Sequence, residues 1–240
     1  MVITNPAKEK ILYDPQYHSY SGPKGEKYDS VTKLVAQCFE PFDQNKIAAK
    51  VAESRGVTKE SVLKEWSDSA SFGSRIHKYA EILTKGSKPS ILKLGQKELI
   101  YRRHILNWLQ KVQKKGKIIV TELPVFNTQF KVAGILDGIV DFSNNLVLID
   151  WKTNKKFTTD GHWGCGIGPL SHLQDCHLVK YSLQLNLYKQ LLLLGNYYSV
   201  KNYDMEIWHI DEVAGVVPYK ALDLSAETEL ILKREVTQNG

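Results

Sequence analysis

The stretch "GILDGIVDFSNNLVLIDWKTNKK", residues 134–156, decides the fold. Its second half opens on Leu146-Val147-Leu148-Ile149, an apolar run suited to a buried strand, and passes directly into Asp150-Trp151-Lys152. In a strand, side chains two residues apart leave the same face, so Asp150 and Lys152 share one face and Trp151 takes the other. The first half reads as a neighbouring strand carrying a second acid, Asp137, with Asn144-Asn145 as the hairpin turn. If the register allows, the two carboxylates come within a few ångströms of each other. Two carboxylates without thiolates favour a hard cation, Mg²⁺ or Mn²⁺, and a lysine beside it can position water and stabilise a phosphoryl transition state. An isolated D-x-K is more often a surface ion pair, so the surroundings must carry the argument.

Outward from this hairpin the period of the pattern changes. Residues 117–126, "KIIVTELPVF", add a third strand upstream. Before Gly116 the spacing is helical from 43 to 115, with Thr58 as a helix start and Gly86 and Gly116 as stops. Ser30 is placed to cap a short helix carrying Val31, Leu34, Val35 and Cys38. Residues 1–29 read as a short hairpin around Gly22-Pro23. Downstream, "LVKYSLQLNLYKQLLLLG" reads as an amphipathic helix ending at Gly195. "YDMEIWHI" and "GVVPYKAL" read as strands and "SAETELILKREV" as a closing helix. The expected fold is α/β, a mixed central sheet flanked by helices. Residues 1–116 form an N-terminal hairpin and helical region covering the site, and 117–240 the core, integrated as one domain.

At 240 residues the chain can bury one substantial core, and 42% hydrophobic with 24% charged residues is ordinary for a globular protein. A formal charge of +6 suits a polyanionic partner without demanding one. Three cysteines are too few for a disulfide framework or a four-thiolate cluster, which points to a reducing, intracellular setting. No apolar segment has the length of a signal peptide core or a membrane span, so no membrane association is expected.

The hairpin, preceded by "TELPVF" and followed by "YSLQLNLYKQLL", resembles the RecB-type branch of the PD-(D/E)XK nuclease superfamily. Within it the chain is similar to the mitochondrial genome-maintenance exonuclease and to phage exonucleases. "FGSRIHKYAE" matches the branch's G-x-x-x-H helix and "YDSVTKLV" its N-terminal segment, so the resemblance spans roughly residues 28–210. It implies a restriction-endonuclease-like core in which Asp137 and Asp150 bind metal, Lys152 is the catalytic lysine and His77 is an additional metal ligand. Glu122 matches an acid used near the metal or the DNA, and equally suits an exposed strand position. Gln184 and Tyr188, four residues apart on one helix face, match the branch's Q-x-x-x-Y motif and would orient the lysine and the DNA backbone.

The resemblance implies an exonuclease on DNA, acting at single-stranded ends in replication, recombination or repair, in company with other proteins of those processes. A structure-specific flap or branch endonuclease, or a catalytically inactive DNA-binding module, are the alternatives. Arg102, Arg103 and His104, with Lys111, Lys114, Lys115 and Lys117, offer phosphate contacts. Trp66, Phe72 and Tyr79 are candidates for stacking on bases. The loop 157–176 holds His162, Cys165, His172 and Cys176, followed by His177, but lacks a familiar zinc spacing and reads better as a substrate-facing loop.

Overall fold

The computed structural model describes residues 1–87, 94–143, 145–161, 164–199 and 202–239, with side chains described as far as residue 234. Its centre is a nine-stranded sheet in the order β1-β2-β3-β4-β6-β7-β8-β9, with β5 on the remaining edge of β6. The strands are β1 (Val2–Thr4), β2 (Lys10–Asp14), β3 (Ser19–Ser21), β4 (Lys27–Ser30), β5 (Lys117–Asn127), β6 (Val132–Asp141), β7 (Leu146–Lys152), β8 (Asp204–Asp211) and β9 (Gly215–Lys220). The helices are α1 (Val31–Ala36), α2 (Gln44–Arg55), α3 (Lys59–Thr84), α4 (Gln96–Gln113), α5 (His177–Leu194) and α6 (Ser225–Asn239).

β6 organises the rest. β5 pairs with it antiparallel along its whole length, from Lys117↔Asp141 to Asn127↔Val132. The other edge is divided. β7 pairs with the C-terminal part as far as Gly138↔Ile149, and β4 runs parallel to the first two residues through Asp29↔Val132 and Ser30↔Ala133. Between those two pairings that edge of β6 has no strand partner among the described residues. β7 meanwhile turns its far edge to β8, in parallel from Val147↔Asp204 to Lys152↔His209.

The alternation of β7 sorts two cores. Leu146 and Leu148 join a cluster built from α1, α5 and α6, whereas Val147, Ile149 and Trp151 join one built from α3 and α4. Ser30 caps α1 by accepting from the Lys33 N–H at 3.1 Å, and Thr58 caps α3 in the same way from Ser61. Gly56 ends α2 in the left-handed conformation.

Two features differ from the sequence expectation. The first 30 residues supply four strands instead of a single hairpin, and these join the main sheet through β4. Their own small core, Ile3, Ile11, Tyr13 and Tyr20, packs on Phe126 and Ala133. The helix α5 is not amphipathic: residues 182–189 are buried without a break, because the sheet covers one side and α1 and α6 the other. Asn144, expected in the β6–β7 turn, lies outside the described residues. No helix among the described residues is long and apolar enough to cross a membrane.

Candidate active site

The unpaired interval of β6 is where the chemistry collects. Continuing the β6–β7 register one step beyond Gly138↔Ile149 sets Asp137 against Asp150, where the two strands splay. The Asp137 carboxylate fills the break: its Oδ2 accepts the Trp151 N–H at 2.7 Å, taking the place of a ladder partner. The same oxygen lies 2.8 Å from Nε2 of His77, sixty residues earlier on α3. Helix α3 reaches that position because Gly73 lets it run against the end of β7; a Cβ there would stand 2.8 Å from Thr153 Oγ1.

Glu122 arrives from the opposite side. The β5–β6 ladder pairs Thr121 with Gly138 and Leu123 with Leu136, and between them Glu122 adopts φ 51°, a left-handed conformation unusual for a residue with a long side chain. Ligand atoms of His77, Glu122 and Asp137 all lie within 4.8 Å of one another. This trio differs from the expected set of His77, Asp137 and Asp150. Asp150 stands beside it but is engaged elsewhere: Oδ1 accepts from Gln184 Nε2 at 3.1 Å, and Oδ2 is 2.6 Å from the Lys152 ammonium. That last contact is a short buried ion pair.

Burial and charge explain the titration of the group. Burial pushes Asp150 up to about 6, with repulsion from Asp137 adding to it and Lys152 opposing. Burial, then Asp137, pushes Glu122 up to about 7. Burial also raises Asp137, but His77, Lys152 and the Trp151 N–H together outweigh it and hold that carboxyl below its ordinary range. His77 itself is disfavoured as a cation by burial, yet Asp137 carries it up to about 9. For Lys152, burial works against the ammonium and the two aspartates overcome it, leaving it above the usual lysine value.

These residues line one cleft of about 370 Å³, with His18 of the β2–β3 turn, Tyr20 of β3, Ser30 of β4 and Thr32 of α1 forming the wall supplied by the N-terminal segment. Gln184 and Tyr188 face it from α5, and Tyr188 is buried against Gly134, where an added Cβ would meet its ring at 2.8 Å. His77 and Lys152 also border a second cavity of about 460 Å³, lined by Ser69, Gly73 and Thr153.

The remaining sequence candidates are dispersed. His172 binds Glu227 at 2.9 Å and His177 binds Thr158, while Cys165 is exposed and Cys176 buried, so the loop assembles no zinc site among the described residues; His162 lies outside them. Phe72 and Tyr79 pack against the α3–α4 core and Trp66 packs near Phe42. Arg103 is exposed, Arg102 is half-buried, and His104 contacts the Glu212 carbonyl at 3.0 Å. Lys111 and Lys115 gather around Phe142 and Asn145 at the start of β7, about 13 Å or more along the strand from Asp150 at its ordinary rise per residue. The sequence reading expected the N-terminal hairpin and helical region to cover the site but named no residue of β1–β4 for it; His18 and Tyr20 carried no motif that would have singled them out.

The sequence profile of the PD-(D/E)XK nuclease superfamily matches residues 91–238, well over half of the chain. This chain belongs to the PD-(D/E)XK nuclease superfamily. The mixed sheet with flanking helices is the restriction-endonuclease-like architecture of that superfamily, and its members use divalent metal ions. Among solved structures, SSO0001 is similar at 15% identity, with 88% of this chain and 76% of that chain covered and a TM-score of 0.35. A candidate exonuclease from Eubacterium rectale is similar at 10% identity, with 88% and 79% covered and a TM-score of 0.38. No curated protein matches.

The donor set suits a divalent cation on chemical grounds. It offers carboxylates and one imidazole without thiolates, which fits a hard ion, and burial, with repulsion from Asp137, pushes Glu122 and Asp150 upward. His77, protonated in the free protein, must lose its proton to serve as a ligand.

Proposed function

We propose that this nuclease is a RecB-type DNA exonuclease that hydrolyses phosphodiester bonds from single-stranded ends with Mg²⁺ or Mn²⁺. The observation that carries this reading is the enclosure of the acid–lysine cluster. Asp137, Asp150, Glu122, His77 and Lys152 face a narrow cleft walled by the N-terminal strands on one side and α3 on the other. A flexible single strand can adapt to such a cleft more readily than a stiff duplex.

Asp137 and Glu122, with His77 once deprotonated and Asp150 alongside, would hold the metal, which supplies Lewis-acid stabilisation of the phosphate and lowers the pKa of bound water. The chain's own residues do the rest. Lys152 keeps its proton and lies at the cleft, placed to orient the attacking water and offset negative charge developing on the phosphoryl oxygens. Gln184 holds the Asp150 carboxylate in orientation through its Oδ1, leaving Oδ2 facing Lys152. Tyr188 stays a neutral phenol because burial raises its pKa, and supports the same wall of the cleft. The second cavity bordered by His77 and Lys152 gives the strand continuing past the scissile phosphate somewhere to lie.

Digestion of end-labelled linear and circular DNA, single- and double-stranded, with and without Mg²⁺ or Mn²⁺, tests the proposal. Metal-dependent loss of linear single strands with circular ones spared is the expected result. Cleavage of circular single strands would establish an endonuclease instead, and binding without cleavage under any metal would establish an inactive DNA-binding module.

A further inference from the structure

Lys152 has a second neighbour besides Asp150. The ring centroid of Tyr181 lies 4.6 Å from its Nζ, so the ammonium sits over an aromatic face. Tyr181 precedes Gln184 by one turn of α5, and the helix therefore offers Gln184 to Asp150 and Tyr181 to Lys152 from the same face. The ring is fixed at its far end, because its hydroxyl donates to Asn154 Oδ1 at 2.7 Å. Asn154 is itself anchored, its main-chain carbonyl lying 2.7 Å from His209 Nε2 and its side-chain nitrogen 3.3 Å from His177 Nε2. The His177 ring in turn lies parallel to Tyr181, with centroids 5.6 Å apart and planes inclined by 7°. Burial keeps the Tyr181 phenol protonated, as a donor to Asn154 requires.

A lysine has a long, freely rotating stem, and with Asp150 alone its ammonium would be held from one side only. The polarisable ring adds a second attraction that defines where the ammonium rests without consuming any of its N–H donors. We infer that Tyr181, held by Asn154, is a positioning residue for Lys152, fixing where the ammonium rests beside Asp150 at the cleft. The inference rests on the reading of Lys152 as the catalytic lysine.

Two measurements on the full chain test it. The first needs no activity: in the NMR spectrum of metal-free protein the Lys152 ε-methylene protons, assigned by their loss in Lys152→Arg, should be shifted upfield by the ring. The shift should persist in Tyr181→Phe and vanish in Tyr181→Leu. The second is kinetic. Tyr181→Leu should lower kcat on the order of 10- to 10²-fold with KM unchanged, the size expected for misplacing a reacting group by about an ångström, and Tyr181→Phe should recover most of that loss. Unshifted Lys152 protons in the wild type, a Tyr181→Leu protein with wild-type kcat, a loss that Phe fails to rescue, or a change confined to KM would each overturn the positioning role while leaving the nuclease reading intact. A wild type that cleaves no DNA would overturn both.

Discussion

At the residue scale, Lys152 is the sharpest test of the chemistry. Lys152→Ala should cut the hydrolysis rate on the order of 10²-fold or more, as removal of a positioned electrostatic group does, while DNA affinity measured in Ca²⁺ stays close to wild type. An active Lys152→Ala protein would remove the lysine from the mechanism. The neighbouring acids make a separate prediction for the metal-free protein. Asp150 and Glu122 are raised from 3.8 and 4.5 to about 6 and about 7, so across that window the folded chain binds more protons than the unfolded one and stability falls as pH rises. His77, raised from 6.5 to about 9, acts in the same sense at higher pH: its contribution is complete below 6.5 and lost by about 9. Asp137, held low, works in the opposite direction only near and below its ordinary range. The Tm of EDTA-treated protein should therefore decline from pH 5 to 9, and Glu122→Gln should flatten the part of the decline below about pH 7. A Tm flat across that range would mean that the acids titrate normally. Asp150 and Lys152 were legible as a pair because strand alternation fixes their common face. The meeting of His77 with Asp137 was not, since no local pattern reports a contact spanning sixty residues; there the family resemblance, not periodicity, brought His77 forward.

At the element scale, the succession of β5, β6 and β7 was readable because helical spacing gives way after Gly116 to strand-like apolar stretches separated by turn residues. The role of α5 was not. A helix read as half-exposed turned out to be covered on both sides, and this matters for the site, since α5 carries Gln184 and Tyr188 inward on a fully packed shaft. Gly134 is the point where that shaft meets β6, and a methyl group there would lie 2.8 Å from a carbon of the Tyr188 ring. Gly134→Ala should therefore force Tyr188 to shift, at a cost of about 1–3 kcal/mol as for other overpacked cores. In a chain of this length that corresponds to a fall of roughly 3–10 °C in Tm. Nuclease rate should fall with it, because Gln184 and Asp150 ride on the same helix–strand contact. If Gly134→Ala kept both its wild-type Tm and its rate, the Tyr188 ring would have room that the packing denies it.

At the scale of the whole molecule, the first thirty residues and the family core act as one sheet. The sequence pattern underestimated this because three- and four-residue strands carry too few alternations to register, while their pairing with β6 depends on parallel contacts a hundred residues away. The consequence is that the cleft is assembled from distant parts of the chain, β3, α1, α3, β5, β6, β7 and α5, and exists only in the folded protein. A cation bound there binds the native state and not the unfolded chain, so it must stabilise the fold by mass action. At a hundredfold excess over the dissociation constant the gain is about 2.7 kcal/mol, and it grows with the logarithm of concentration. For this chain length that is a rise of roughly 5–10 °C in Tm. Mg²⁺ or Mn²⁺ should produce the rise, EDTA should reverse it, and affinity should increase with pH as Glu122 and His77 release their protons. Ionic strength must be matched, since a protein of charge +6 also responds to salt. Glu122→Gln removes one carboxylate of the closest trio and should weaken the metal-dependent rise, whereas Lys152→Ala removes a competing cation and should leave the rise intact or enlarge it. That opposition separates ion binding at the cleft from a general salt effect: equal rises in both variants and the wild type would place the bound ion somewhere other than between β5, β6 and α3.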